Sequence, residues 1–146
     1  MLCSAGRLSS IYETRPLYVE DQPLYLNAVG EAWSELTPTV MLKELQSIEA
    51  AHGRDRNREI RRGARTLDLD ILLHGSEVLD LPGLQIPHPL IAERLFVLVP
   101  LLELDPDLLD PRTGDPFRSA RAALEARSVD KGGVYLHPGR RYTEPV

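Results

Sequence analysis

The chain has 146 residues, 42% apolar and 27% charged, and a net charge of −5 at neutral pH. That length suits one domain with its own core, and the acidic balance excludes a nucleic-acid binder held by general positive charge. A single cysteine, Cys3, excludes an internal disulfide and a cysteine-rich zinc site.

Only 5% of the residues are aromatic, so the core must be built mainly from Leu, Ile, Val and Ala. The N-terminus lacks the apolar run of a signal peptide, and the longest apolar stretch, Leu95 to Leu102, is short and contains Pro100. A cytoplasmic protein with no membrane partner is expected, in a reducing compartment. Residues 8–14 (LSSIYET) are compatible with a strand, and residues 15–24 read as an ordered loop around Pro16 and Pro23. Tyr25 to Leu36 alternates Tyr25, Asn27, Val29, Glu31 and Trp33 with Leu26, Ala28, Gly30 and Ala32, which predicts one strand with a bulge at Gly30.

Thr37-Pro38 predicts a helix start, a hydroxyl cap followed by proline at the first helical position. Met41, Leu45 and Ile48 recur at helical spacing, and Gly53 supplies a stop, so a helix is expected over about 38–52. Residues 54–65 are a polar arginine-rich loop. Thr66 to Leu73 reads as a strand, with short β-like pieces at 77–79 and 84–86. Pro87-His88-Pro89 is a turn into helical segments over 90–104. A last helix is expected at about 116–126, before a loosely held tail. Strands followed by covering helices make an α+β domain spanning 1–146.

The chemistry concentrates in Arg54 to Leu73, RDRNREIRRGARTLDLDILL. In an extended segment Asp68 and Asp70 share one face, with Cα atoms ~7 Å apart, while Leu67, Leu69, Ile71 and Leu73 take the other. Two neighbouring carboxylates repel and call for a compensating cation, and hard oxygen ligands suit magnesium that also binds substrate phosphates. Alone, a D-x-D pair is as well explained by two solvated side chains. Its neighbours change that. Arg54, Arg56, Arg58, Arg61, Arg62 and Arg65, with Asp55 and Glu59, give one twelve-residue window a charge of +4 and leave −9 for the rest of the chain. Guanidinium forks bind phosphate oxygens bidentately and stay charged. Arginines beside a two-aspartate platform fit phosphoryl transfer. Neither a P-loop nor a G-x-G-x-x-G motif is present.

The stretch Arg61-Arg62-Gly63-Ala64-Arg65-Thr66-Leu67-Asp68-Leu69-Asp70-Ile71-Leu72 resembles the signature of the 6-hydroxymethyl-7,8-dihydropterin pyrophosphokinases, a basic residue, G-A-R, then D-L-D and two aliphatics. Tyr12-Glu13-Thr14 with Pro16-Leu17, Asp21-Gln22-Pro23 with Tyr25-Leu26-Asn27-Ala28, and Pro87-His88-Pro89 with Arg94 and Phe96 agree, so the resemblance runs over about 8–125. It implies transfer of pyrophosphate from ATP to the pterin hydroxymethyl group in folate biosynthesis, with release of AMP. It implies that Asp68 and Asp70 hold two magnesium ions and that Arg54 and Arg65, helped by Arg56, His88 and Arg94, grip phosphates. Gln46 would lie near the nucleotide with Glu49 beside it. Thr14, Pro16, Leu17, Tyr25, Asn27 and Phe96 would form the pterin pocket, Asn27 reading the ring edge and Tyr25 and Phe96 flanking the ring. The loop 54–65 would close over ATP.

The implied fold is a ferredoxin-like antiparallel sheet with packed helices. Family members begin with a strand, a Gly-Ser-Asn turn and a long helix, which this sequence lacks, so an N-terminally shortened member is expected, and a homodimer if the shortening is real. Arg62 and Pro89 stand where the family often has aromatics. The competing readings are a non-catalytic or regulatory form of the same fold, and an RNA-binding α+β module, which the acidic charge and scarce aromatics disfavour.

Overall fold

The computed structural model describes residues 3–14, 25–53, 67–127 and 134–136. The chain divides into two compact units, Met1–Ser34 with Pro89–Val146, and Glu35–His88. The architecture is α+β, and every strand pairing among the described residues is antiparallel.

In the first unit, β1 (Cys3–Leu8) pairs with β4 (Gly30–Ser34), while β2 (Tyr12–Thr14) lies between β3 (Tyr25–Asn27) and β7 (Val134–Leu136). The strand expected over Tyr25–Leu36 is thus two strands in two sheets. The break has a cause at Ser9. Its N–H donates to the Val29 carbonyl at 2.8 Å, but its hydroxyl accepts the Val29 N–H at 2.9 Å, so a side chain stands where a ladder carbonyl would. The bulge expected at Gly30 falls on the facing strand instead, between Ala5 and Arg7. There a Cβ on Gly6 would come within 2.9 Å of the Glu31 carbonyl oxygen, so only glycine fits. The tail, expected to be loosely held, contributes β7 to the sheet edge: Val134 faces Thr14 and Leu136 faces Tyr12.

Helix α2 (Leu95–Leu104) packs on β2, β3 and β7. Helix α3 (Phe117–Ala126) packs on α2 and on a 3-10 turn at Ile91–Glu93. Ile91, Leu98, Leu101, Leu102, Leu104 and Phe117 are buried and form this core. A half-buried charge stands beside it. Glu103 of α2 accepts the Ser10 N–H at 3.1 Å, the Ser10 hydroxyl at 2.6 Å and the Tyr12 phenol at 2.6 Å. Burial, the hydrogen bond to Glu103 and that carboxylate's charge push the Tyr12 phenol up from near 10 to about 12, against the opposing charge of Arg121.

In the second unit, α1 (Pro38–Ala51) starts as expected: Thr37 Oγ1 accepts the Val40 N–H at 3.4 Å, and Pro38 follows. Gly53, at φ +88°, provides the left-handed stop. The buried stripe differs from the prediction. Ile48 is 43% exposed and Glu49 is 1% exposed. Of the strand expected over Thr66–Leu73, residues 67–73 have no ladder partner among the described residues. Exposure over 67–71 still alternates as in an extended chain: Leu67, Leu69 and Ile71 are half-buried, and Asp68 and Asp70 are exposed. The β-like piece expected at 77–79 lies at β5 (Leu79–Leu81), which forms a hairpin with β6 (Leu84–Ile86). Pro82 and Gly83, at φ +78°, occupy the turn positions that favour them. The Ile86–Pro87 peptide is cis.

Two outcomes follow from the Glu103 cluster. Glu103→Ala leaves two Ser10 donors and the Tyr12 phenol without their acceptor, and should lower stability by roughly 2–4 kcal/mol in a urea titration. Because the folded Tyr12 phenol holds its proton more tightly than the unfolded one, its contribution is complete below pH about 10 and lost as pH rises towards about 12. Tyr12→Phe should remove that alkaline loss, read as urea midpoints between these pH values.

Candidate active site

Nine of the fourteen candidate residues lie within the described residues. Pro16, Leu17, Arg54, Arg56 and Arg65 lie outside them. Thr14, Tyr25, Asn27, Arg94 and Phe96 belong to the first unit, and Gln46, Asp68, Asp70 and His88 to the second.

In the first unit, antiparallel pairing of β2 with β3 sets Thr14 directly opposite Tyr25. The Asn27 amide donates through Nδ2 to Thr14 Oγ1 at 2.7 Å. This fixes the amide plane while using one of its hydrogen-bonding positions. Tyr25 is 53% exposed, so its ring offers a face to solvent. Arg94, just before α2, lies over the Phe96 ring at 5.5 Å from its centroid. The sequence reading gave these two residues separate duties, on phosphate and on the pterin ring. The structure stacks them on one another, so one face of Phe96 is covered by a guanidinium.

In the second unit, the chemistry-bearing segment runs from Leu67 to His74. Asp68 and Asp70 flank Leu69, whose N–H donates to Glu49 Oε2 at 3.0 Å. The His88 N–H donates to the Leu72 carbonyl at 2.8 Å, tying the Pro87-His88 turn to the same segment. The His74 Nε2 lies 3.2 Å from the Leu36 carbonyl, and its Nδ1 lies 3.5 Å from Glu77. Gln46, half-buried, stands one turn before Glu49 on α1. Among the described residues, no three His, Cys, Asp or Glu side chains gather into a group that could hold a metal ion. No helix among the described residues is long and apolar enough to cross a membrane.

Sequence reading missed two of these supports. Glu49 was taken as a neighbour of Gln46, and Glu103 was not singled out. Glu103 had a signal, as the lone charge in the apolar run LFVLVPLLEL, whereas the apolar spacing of α1 pointed to Ile48 and gave none for Glu49.

The family model described as 7,8-dihydro-6-hydroxymethylpterin-pyrophosphokinase (HPPK) matches residues 2–106. The chain belongs to this family. The match begins earlier and ends sooner than the 8–125 expected from motifs. Among HPPK relatives, the 2-amino-4-hydroxy-6-hydroxymethyldihydropteridine pyrophosphokinase of Haemophilus influenzae is 50% identical over 105 residues, covering 72% of this chain and 64% of that protein. The protein of the same name from Pseudomonas aeruginosa is 47% identical over 104 residues, covering 71% and 63%. A folate synthesis bifunctional protein of Arabidopsis thaliana is 46% identical over 101 residues, covering 69% of this chain and 21% of that protein. The chain therefore spans less than two thirds of the length of these relatives.

The Asn27–Thr14 bond gives a direct test of the first-unit geometry. Thr14→Val should cost about 1 kcal/mol in chemical denaturation. It should also speed solvent exchange of the Asn27 side-chain amide protons, measured by NMR.

Proposed function

We propose that the chain catalyses the reaction its family's name describes. The hydroxymethyl oxygen of 6-hydroxymethyl-7,8-dihydropterin attacks the β-phosphorus of ATP. The bond from that phosphorus to the α-phosphate bridge breaks, AMP leaves, and the hydroxyl proton passes to solvent. The product is the pterin diphosphate, a step of tetrahydrofolate biosynthesis. The observation that carries the reading is the exposed Asp68 and Asp70 alternating with half-buried Leu67, Leu69 and Ile71 within the family motif.

Two exposed carboxylates fit magnesium, which takes few protein ligands and keeps water and substrate phosphates as the rest. Asp68 and Asp70 would hold it, and as many as two ions, which when bound neutralise phosphate charge. Arg54 and Arg65, with Arg56, His88 and Arg94, bind ATP phosphates and compensate their charge. Gln46 contacts the nucleotide. Thr14, Pro16, Leu17, Tyr25, Asn27 and Phe96 take the pterin. Asn27, its plane set by Thr14, keeps its carbonyl oxygen and a second amide hydrogen for the edge of a heterocycle, which presents donors and acceptors side by side. Tyr25 offers an exposed ring for stacking. No covalent intermediate is needed, since orientation and charge compensation supply the rate. We read 1–146 as one catalytic domain of the ferredoxin-like class, acting in the cytoplasm.

The test is AMP release from ATP, magnesium and the dihydropterin. The chain should release AMP only when the pterin is present, and Asp68→Ala/Asp70→Ala should reduce the rate by at least about 100-fold. A folded chain that releases no pterin-dependent AMP would refute the assignment.

A further inference from the structure

We infer that Glu49 is a positioning residue for the Asp68–Asp70 pair, holding the peptide between them rather than touching ATP or metal. The inference rests on the function proposed above. Glu49 is 1% exposed, and a buried carboxylate is costly unless hydrogen-bonded. That carboxylate accepts the Leu69 N–H at 3.0 Å, and Leu69 is the residue between the two aspartates. The segment 67–74 has no strand ladder among the described residues, so this bond and the one from the His88 N–H to the Leu72 carbonyl hold its backbone there. In an extended chain, fixing the central peptide sets the directions in which residues 68 and 70 project, because both lie on the opposite face from 69. A charged acceptor makes the stronger version of such a bond.

The same geometry disfavours a third-ligand role. Glu49 is buried where Asp68 and Asp70 are exposed, and no group of three acidic or histidine side chains gathers among the described residues. Gln46, one turn earlier on α1, is half-buried and free of this duty.

The experiment compares the unsubstituted chain, Glu49→Gln and Glu49→Ala by NMR. Two signals are read: solvent exchange of the Leu69 amide, and broadening of the Asp68, Leu69 and Asp70 amides by added Mn2+. Glutamine keeps an acceptor oxygen of the same reach, so Glu49→Gln should preserve both signals to within about threefold. Glu49→Ala should speed Leu69 exchange by about tenfold or more and weaken Mn2+ broadening by a similar factor. Exchange at Leu84 and Ile86, in the β5–β6 hairpin, should stay unchanged and so report intact folding of the unit. Unchanged Leu69 exchange in Glu49→Ala overturns the inference. So does loss of Mn2+ broadening in Glu49→Gln with Leu69 still protected, since Glu49 would then act on the metal through its charge. If Glu49→Ala does not fold, Glu49→Gln alone decides by that second criterion. Failure of the functional reading shows separately, as no Mn2+ broadening in the unsubstituted chain, while the Leu69 exchange rates still decide whether Glu49 holds the segment.

Discussion

A backbone N–H turned towards a packed helix must find an acceptor there, and in both units a glutamate supplies it. In the first unit Glu103 of α2 takes the Ser10 N–H together with two hydroxyls. In the second, Glu49 of α1 takes the Leu69 N–H. Each helix gives up an apolar position on its inward side to do this. The loss is acceptable because a buried N–H without a partner costs about as much as a missing methyl-rich side chain, 1–3 kcal/mol. A carboxylate also tolerates several donors at once, which a backbone carbonyl does less well. Glu103 uses that capacity: it secures the link between β1 and β2, where Ser9 has already interrupted the ladder.

This arrangement explains which parts of the fold could be read from the sequence. Helix α1 was legible because its start and stop are local: Thr37, Pro38 and Gly53 act within one turn of their own positions. The β5–β6 hairpin was legible to within two residues for the same reason, since Pro82-Gly83 dictates its turn. The strand over 25–36 was over-read. Alternation continues through Ala28 and Val29, but the partner at Ser9 answers with a hydroxyl, and nothing in residues 25–36 announces that. The pattern of 67–73 was read as alternating faces, as it is over 67–71, and as a strand, for which no ladder partner exists among the described residues. Periodicity reports which side is buried, whereas a ladder also needs a neighbour. Of the tail, residues 134–136 form β7, whose value lies in what β2 offers it, an edge that only the folded chain creates.

The candidate site was legible to the extent that its chemistry is written in one segment. Asp68 and Asp70 stand two residues apart, and extended geometry alone puts them on one side, where the structure has them exposed. What could not be read was the support behind them. Glu49 lies twenty residues away on a helix whose apolar spacing nominated Ile48 for burial. The helix is rotated from that expectation, leaving Ile48 outside and turning a carboxylate inward. The apolar pattern carried no information about it, because the force that turns it is a hydrogen bond to a distant peptide.

On the proposed function, this division of labour has a physical sense. Side chains that meet a highly charged substrate must stay hydrated until it arrives, so they are exposed and hold their place poorly on their own. Asp68 and Asp70 are of this kind, and so is the ring of Tyr25. Their precision has to come from groups that are not exposed. Glu49 behind Leu69 and Thr14 beside Asn27 are such groups, each acting through one short hydrogen bond. A displacement of about 1 Å is enough to cost a large factor in rate. A neutral support such as Thr14 adds no charge near the pterin, where none is wanted. Glu49 serves in the same way through its acceptor oxygen, so the demand for cations on the exposed side is set by Asp68 and Asp70 themselves, the side on which a magnesium–phosphate substrate would approach.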